Sequence, residues 1–253
     1  ETFDAINIFL YEKSEKLIKI QKKRISSKKV SWIKDLNKIK RGPVVFFGNE
    51  FFDALPIKQF EKKKQKWFER KIRVKNKNNF EIVKSASNLS KLNKKLGINL
   101  TSNQIFIEYS PLEIKIFKKI AKTLVKKNGG LLIIDYGFFE SRMRDTLQSL
   151  YKHKSNNFLI NIGNADITHH VNFNLIEKLA KKNKLKVPLK TFQKNFLISL
   201  GIRQRAEQVT KKLPFSKKAD VFYRIDRLIN ENKMGNLFKV MFLTKNKLNI
   251  LRT

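Results

Sequence analysis

The chain has 253 residues and no cysteine; 56 Lys or Arg against 21 Asp or Glu give a formal charge of +35 at pH 7. The lack of cysteine excludes a disulfide framework and a thiolate metal site, and is compatible with a reducing compartment. A hydrophobic content of 41% supports one substantial core, and no apolar run is long enough to span a bilayer.

The first residue is Glu, and no signal-like stretch opens the chain. Charge of this size suits an acidic partner or nucleic acid, because clustered Lys neutralises phosphate. Here Lys is spread along the whole chain and travels with Asn and Ile. That combination is the mark of an A/T-rich genome, and surface drift toward Lys is nearly neutral for stability. Codon bias therefore stands ahead of nucleic-acid binding as the reading of the charge.

In chain order, Ala5–Tyr11 alternates apolar and polar residues, which predicts a strand ending at Glu12. Ser14–Ser26 has helical spacing of Leu17, Ile18, Ile20 and Ile25, with Ser14 as N-cap. Val30–Ile33 is a short strand with Asp35 just past it. Gly42-Pro43 marks a turn before the strand Val44–Phe47. Strand, helix, strand, loop, strand predicts a parallel sheet with crossover helices.

Residues 57–104 are rich in Lys and Asn and read as a small insertion, an antiparallel hairpin from Trp67–Val74 and Phe80–Val83 followed by a polar stretch. Ile105–Glu108 is either a short strand or the approach to the helix Leu112–Lys127. Gly129-Gly130 ends that helix and leads into the strand Leu131–Ile134. Residues 138–230 read as mostly helical, with helices over 174–183, 191–212 (interrupted near Gly201) and 217–230. A last strand is expected over Leu237–Leu243, and no internal repeat is visible.

The residues that draw the eye are Val44-Val45-Phe46-Phe47-Gly48-Asn49-Glu50-Phe51-Phe52-Asp53. A buried strand stops at Gly48 and delivers Asn49, Glu50 and Asp53 at its carboxyl end, where open α/β sheets bind ligands. The competing reading is an acid-capped helical turn. Glu12 is either a ribose-binding acid at a strand end or a surface acid paired with Lys. Asp35 is either a contact to an adenine amine or a helix cap. Glu108 is either a site acid or a cap before Leu112. His169 and His170 adjoin, face different ways and lack a carboxylate set at ligand spacing, so no metal is expected.

The stretch Asn49-Glu50-Phe51-Phe52-Asp53-Ala54-Leu55-Pro56 resembles the signature of the MidA family of S-adenosylmethionine-dependent methyltransferases. Further pieces match in order: Tyr11-Glu12-Lys13-Ser14, Trp67-Phe68-Glu69-Arg70, Glu108-Tyr109-Ser110-Pro111, Asp135-Tyr136-Gly137, Asp145-Thr146-Leu147-Gln148, Asp166-Ile167-Thr168-His169-His170 and Met234-Gly235-Asn236. The family includes a mitochondrial complex I assembly factor that methylates a protein arginine.

The resemblance implies a single α/β domain over 1–253, a Rossmann-like class I methyltransferase sheet with a small β insertion and a helical C-terminal extension. It implies S-adenosyl-L-methionine as cofactor, with Glu12, Ser14, Asp35 and Asn49 on the cofactor side. Asn49, Glu50, Asp53 and Glu108 are then the catalytic candidates, and Asp135, Tyr136 and His170 line the substrate side. The implied partner is a protein substrate, a subunit of a respiratory complex being the instance the resemblance suggests, in a bacterial cytoplasm or a mitochondrial matrix. An RNA-binding protein or RNA methyltransferase is the alternative from charge, and a non-catalytic assembly factor is a third.

No Gly-rich turn precedes Glu12, where such a cofactor site is usually built. The expectation is a truncated enzyme whose first strand, Gly-rich loop and first helix lie upstream, so that these 253 residues bind S-adenosylmethionine weakly or not at all. Arg144, Asn172 and Lys194-Asn195 depart from the family pattern, which puts the substrate loops in doubt and leaves the fold expectation intact.

Overall fold

The computed structural model describes residues 5–76 and 79–246. It opens with β1 (Ile8–Tyr11), α1 (Glu15–Arg24) and β2 (Val30–Ile33). The two strands pair in parallel, Ile8 opposite Val30 and Tyr11 opposite Ile33. Ser14 caps α1 as its pattern predicts, its Oγ accepting from the Leu17 N–H at 3.3 Å.

β3 (Val44–Asn49) runs parallel to β8 (Gly129–Phe138), with Val44 opposite Gly129 and Asn49 opposite Ile134. The other edge of β8 carries β14 (Phe238–Thr244), antiparallel, and outside that lies β13 (Lys186–Phe192), a strand absent from the sequence expectation. The short β12 (Val171–Asn172) continues the β3 edge farther along β8. Among the described residues β1 pairs with β2 alone and β3 with β8 alone. The expected parallel sheet is therefore split in two, and Val45 and Phe47 of β3 remain 75% and 65% exposed.

α3 (Pro111–Lys127) covers the opposite face. Its Ile114, Phe117, Ile120, Ala121 and Leu124 recur at three and four residues and are all buried. They pack in one core with Phe52, Ile133, Phe173, Leu179 and Met241. Each large side chain buried this way is worth about 1.5–3 kcal/mol. The last part of the core is set by α4 (Phe173–Lys182), whose buried residues are Phe173, Leu175, Ile176, Leu179 and Ala180.

The insertion is larger than a hairpin. β4 (Lys58–Lys63), β5 (Lys66–Asn76), β6 (Asn79–Ser87) and β7 (Phe106–Tyr109) form an antiparallel sheet in the order β6-β5-β4-β7. The polar stretch after it contains α2 (Ser90–Leu96). Ile105–Glu108 is thus a strand, but it joins this sheet and not the parallel one. β4 escapes sequence reading because its Lys-rich run offers little apolar alternation.

Residues 138–230 begin with strands, not helices: β9 (Gln148–Tyr151), β10 (Lys154–Asn156) and β11 (Asp166–Thr168) form a small antiparallel sheet. The helices α5 (Gln193–Ser199), α6 (Ile202–Thr210) and α7 (Phe215–Ile229) follow, and the break falls at Gly201, whose φ is 76°.

Gly137 lies inside β8, so it marks a close approach and not a turn. A Cβ there would sit 2.4 Å from the Val171 carbonyl oxygen and 2.7 Å from the Phe173 ring. Backbone cannot yield as a flexible side chain can. Gly137→Ala is expected to lower unfolding free energy by about 1–3 kcal/mol, the scale of overpacking. Urea unfolding checks this, and an unchanged midpoint would mean that β12 shifts freely.

Candidate active site

Asn49 is the last residue of β3, and Gly48 is buried within it, so the strand runs past the glycine. Glu50 then takes a φ of 47° while its N–H still bonds the Ile134 carbonyl at 3.0 Å. A non-glycine residue held in the left-handed region stores strain of a kind found at functional sites. Residues 50–55 form a turn and not the acid-capped helix of the competing reading.

Asp135 holds this turn. Its Oδ2 accepts from the N–H groups of Phe51 at 3.2 Å, Phe52 at 2.9 Å and Asp53 at 3.4 Å. Its Oδ1 accepts from the Tyr136 N–H at 2.9 Å. The carboxyl is wholly buried, and burial, with Asp53 nearby, pushes it up to about 7 against the pull of those amides. An acid enclosed in backbone does not face a substrate. Asp135 therefore positions the turn, a correction to its expected place on the substrate side.

Asp53 is buried too, and burial with the neighbouring Glu50 raises its carboxyl to about 6. Its Oδ1 has no hydrogen-bond partner among the described residues. A buried oxygen left unpaired is costly unless something else meets it. Glu50 and Asn49 are exposed beside it, Asn49 Nδ2 lying 3.4 Å from Glu50 Oε1. Tyr136 is half-buried and packs on Phe238 at 4.1 Å between ring centroids. After burial, the charges of Glu50 and Asp53 are what raise its hydroxyl most. Asn49, Glu50, Asp53 and Tyr136 thus meet at the carboxyl ends of β3 and β8.

The end of β1 comes to the same place. Tyr11 meets the Phe51 ring edge-on at 6.1 Å, which sets Glu12 beside the turn. Glu12 Oε1 accepts from the N–H of Lys13 at 2.7 Å and of Ser14 at 2.8 Å. Those bonds leave Oε2 without a protein partner among the described residues. The Ser14 hydroxyl is engaged in the helix cap. Asp35 also caps, accepting from the Asn37 N–H at 3.2 Å, and it pairs with Lys119 at 2.9 Å. Those hydrogen bonds lower its carboxyl below the usual range, Lys119 foremost.

Glu108 stands apart from that group. It is buried in β7, where Gln59 Nε2 donates to it at 2.6 Å and the Thr146 N–H at 3.3 Å, with the Thr146 hydroxyl closer still. Gln59 also donates to Asp145 at 2.7 Å, and Asp145 pairs with Arg70. The Thr146 hydroxyl accepts the His170 N–H at 2.8 Å. Glu108 is therefore a clamp for the 144–146 loop, and through Thr146 it fixes His170. It does not cap α3; Ser110 does, accepting from the Glu113 N–H at 3.1 Å.

Gln59, Thr146 and Asp145 were not candidates, because the β4–β7 pairing that sets Gln59 opposite Glu108 and the packing of the 144–146 loop against them join positions far apart in sequence. His169 is buried, its N–H bonded to the Asp53 carbonyl at 3.0 Å, whereas His170 is half-buried, with its imidazole held toward neutrality first by burial and then by Arg144 and Lys239. Two of the departures from family pattern have local roles: Asn172 caps α4, accepting from the Leu175 N–H at 3.0 Å, and Arg144 stacks over Phe138 at 4.9 Å.

Residues 1–191 match the model of a family described as S-adenosyl-L-methionine-dependent methyltransferases. The chain belongs to that family. Among relatives of this methyltransferase-family chain is the mitochondrial protein arginine methyltransferase NDUFAF7 of Danio rerio, 28% identical over 210 residues, 83% of this chain and 49% of the relative. The human NDUFAF7 is 27% identical over 266 residues, covering 94% of this chain and 58% of the relative. A COG1565 superfamily member from Burkholderia thailandensis, crystallised with S-adenosyl-homocysteine, superposes with a TM-score of 0.70 at 24% identity. That likeness covers 85% of this chain and 56% of the other, and it shows a shared methyltransferase fold. The chain spans about half the length of the curated relatives it matches.

Proposed function

We propose that this chain forms the acceptor side, and part of the cofactor side, of an S-adenosylmethionine-dependent transfer of methyl to a protein arginine. The observation that carries the reading is the turn 50–53, held by a buried Asp135 so that Glu50 and the unpaired Oδ1 of Asp53 meet at the sheet's carboxyl end. The named activity of the NDUFAF7 relatives supports arginine as acceptor. A subunit of a respiratory complex as substrate, and the mitochondrial matrix or a bacterial cytoplasm as compartment, are finer parts of the same proposal.

The donor set fits the cofactor. Among the described residues Glu12 keeps one carboxylate oxygen without a protein partner at a strand end, suited to a ribose hydroxyl pair, and Asn49 offers an exposed carboxamide at the end of β3. Asp35 is occupied by its cap and by Lys119, so its contact to an adenine amine would use what those bonds leave. When bound, the cofactor supplies an electrophilic methyl on sulfonium. The chain's own part is to align the acceptor. Glu50 and Asp53 offer a carboxylate pair to the guanidinium fork. In an in-line displacement, alignment and fixed charge count for more than a strong base. Asp53, raised toward neutrality, is the group placed to take the proton that the methylated nitrogen gives up.

Calorimetric titration with S-adenosyl-homocysteine tests the cofactor half. In the full-length protein Glu12→Gln is expected to weaken binding by roughly tenfold, the value of about one charge-assisted hydrogen bond. Equal affinity for wild type and Glu12→Gln would remove Glu12 from the site.

A further inference from the structure

We propose that the tip of the helical hairpin formed by α6 and α7 is a peripheral anchor for an anionic lipid bilayer. The ten residues 211–220 are exposed without interruption. They read Lys-Lys-Leu-Pro-Phe-Ser-Lys-Lys-Ala-Asp. Phe215 is 86% exposed and Leu213 is 40% exposed. Phe215 is the most exposed large hydrophobic residue among the described residues, ahead of Val45 at 75% and Tyr223 at 68%, and Leu213 stands open two positions away.

Charge says what covers it. Lys211, Lys212, Lys217 and Lys218 bracket the two apolar residues, and among the described residues none of the four makes an ion pair. No acid lies between Glu207 and Asp220, and Asp220 is already paired with Arg224 at 2.9 Å. The patch is small and sits on the turn between two helices. A protein partner needs a face of roughly 800 Å² on each side, more than two apolar side chains at a turn supply. A bilayer interface asks for less: apolar tips set about 5–10 Å deep, with each flanking Lys attracted to anionic headgroups. No helix among the described residues is long and apolar enough to cross a membrane, so the contact is peripheral.

Overall charge will draw this protein to any anionic surface, so the test must separate the tip from the rest. Binding to phosphatidylcholine vesicles with and without phosphatidylglycerol is measured by sedimentation at physiological ionic strength. Phe215→Trp is expected to bind as wild type, and its emission, above the Trp32 and Trp67 baseline, to shift to the blue with the anionic vesicles. Phe215→Ser is expected to fold as wild type, the site being exposed, and to bind at least about tenfold more weakly. Equal binding by Phe215→Ser, or an unmoved Trp emission in vesicle-bound protein, would overturn the proposal and leave charge alone as the cause. A blue shift with polyglutamate but not with vesicles would overturn it in favour of an acidic protein partner.

Discussion

Glu50→Gln and Asp53→Asn, made in the full-length protein, are each expected to slow single-turnover methyl transfer by roughly a hundredfold or more while changing cofactor affinity little. The scale follows from removing one preorganised charged group at the reacting centre, about 2–4 kcal/mol. The isosteres keep shape and lose the charge that orients a cationic acceptor. Asp53 adds a pH signature. Its raised carboxyl, at about 6, is protonated below that pH and ionised above it, so transfer should climb between about pH 5 and pH 7 in wild type and flatten in Asp53→Asn. Single-turnover rates on a peptide or protein acceptor, with equilibrium binding of S-adenosyl-homocysteine in parallel, check both points. Wild-type rates in both variants would reduce the acids to turn formers. Equal losses in rate and cofactor affinity would move them into the cofactor pocket and send the search for the acceptor toward His170.

Stability should fall as pH rises through neutrality, and Glu113 is one of the buried acids that cause it, with Asp135 and Asp53. Glu113 lies buried in the first turn of α3, with Oε1 unpaired among the described residues. Burial, and Asp135 behind it, push its carboxyl from 4.5 to about 8. Below the lower value the native and unfolded chains are protonated alike, and the neutral group's contribution is fully present. Between the two values the unfolded chain ionises and the native one does not. Each pH unit there costs about 1.4 kcal/mol of unfolding free energy. The loss is complete once the native carboxyl also ionises. Glu113→Gln keeps the volume and cannot ionise. It is expected to match wild type near pH 5 and to exceed it by about 2–4 kcal/mol near pH 8.5 in denaturant unfolding. Asp135, raised from 3.8 to about 7, and Asp53, raised from 3.8 to about 6, add slopes of the same sign over their own windows, which the variant retains. An unaltered slope in Glu113→Gln would mean that the side chain reaches water.

Several features of this protein are determined by the sequence alone. Ser14 at the start of α1, the apolar period of α3, the break at Gly201 and the β-branched run of β3 are local signals. A cap bonds the backbone three residues on, and a helical stripe repeats within one turn, so neighbours in sequence settle them. The gathering of Asn49, Glu50 and Asp53 past β3 was legible for the same reason, since a strand end followed by charge is a short-range pattern, and the ordered family pieces were legible as a set.

Tertiary structure alone decided which acid does what. Asp135 and Asp53 are both short acids close to a strand end, yet Asp135 is enclosed by three amides from residues more than eighty positions away, and Asp53 keeps an oxygen unpaired. Glu108 matched a family element but spends its carboxylate on Gln59 and Thr146. The placement of β7 against β4, and not in the parallel sheet, rests on the register of Glu108 with Gln59 and of Phe106 with Glu61. Burial and hydrogen-bond partners set the charge state and role of a carboxyl, and both come from pairing between distant strands. Period, cap and composition do not contain that information.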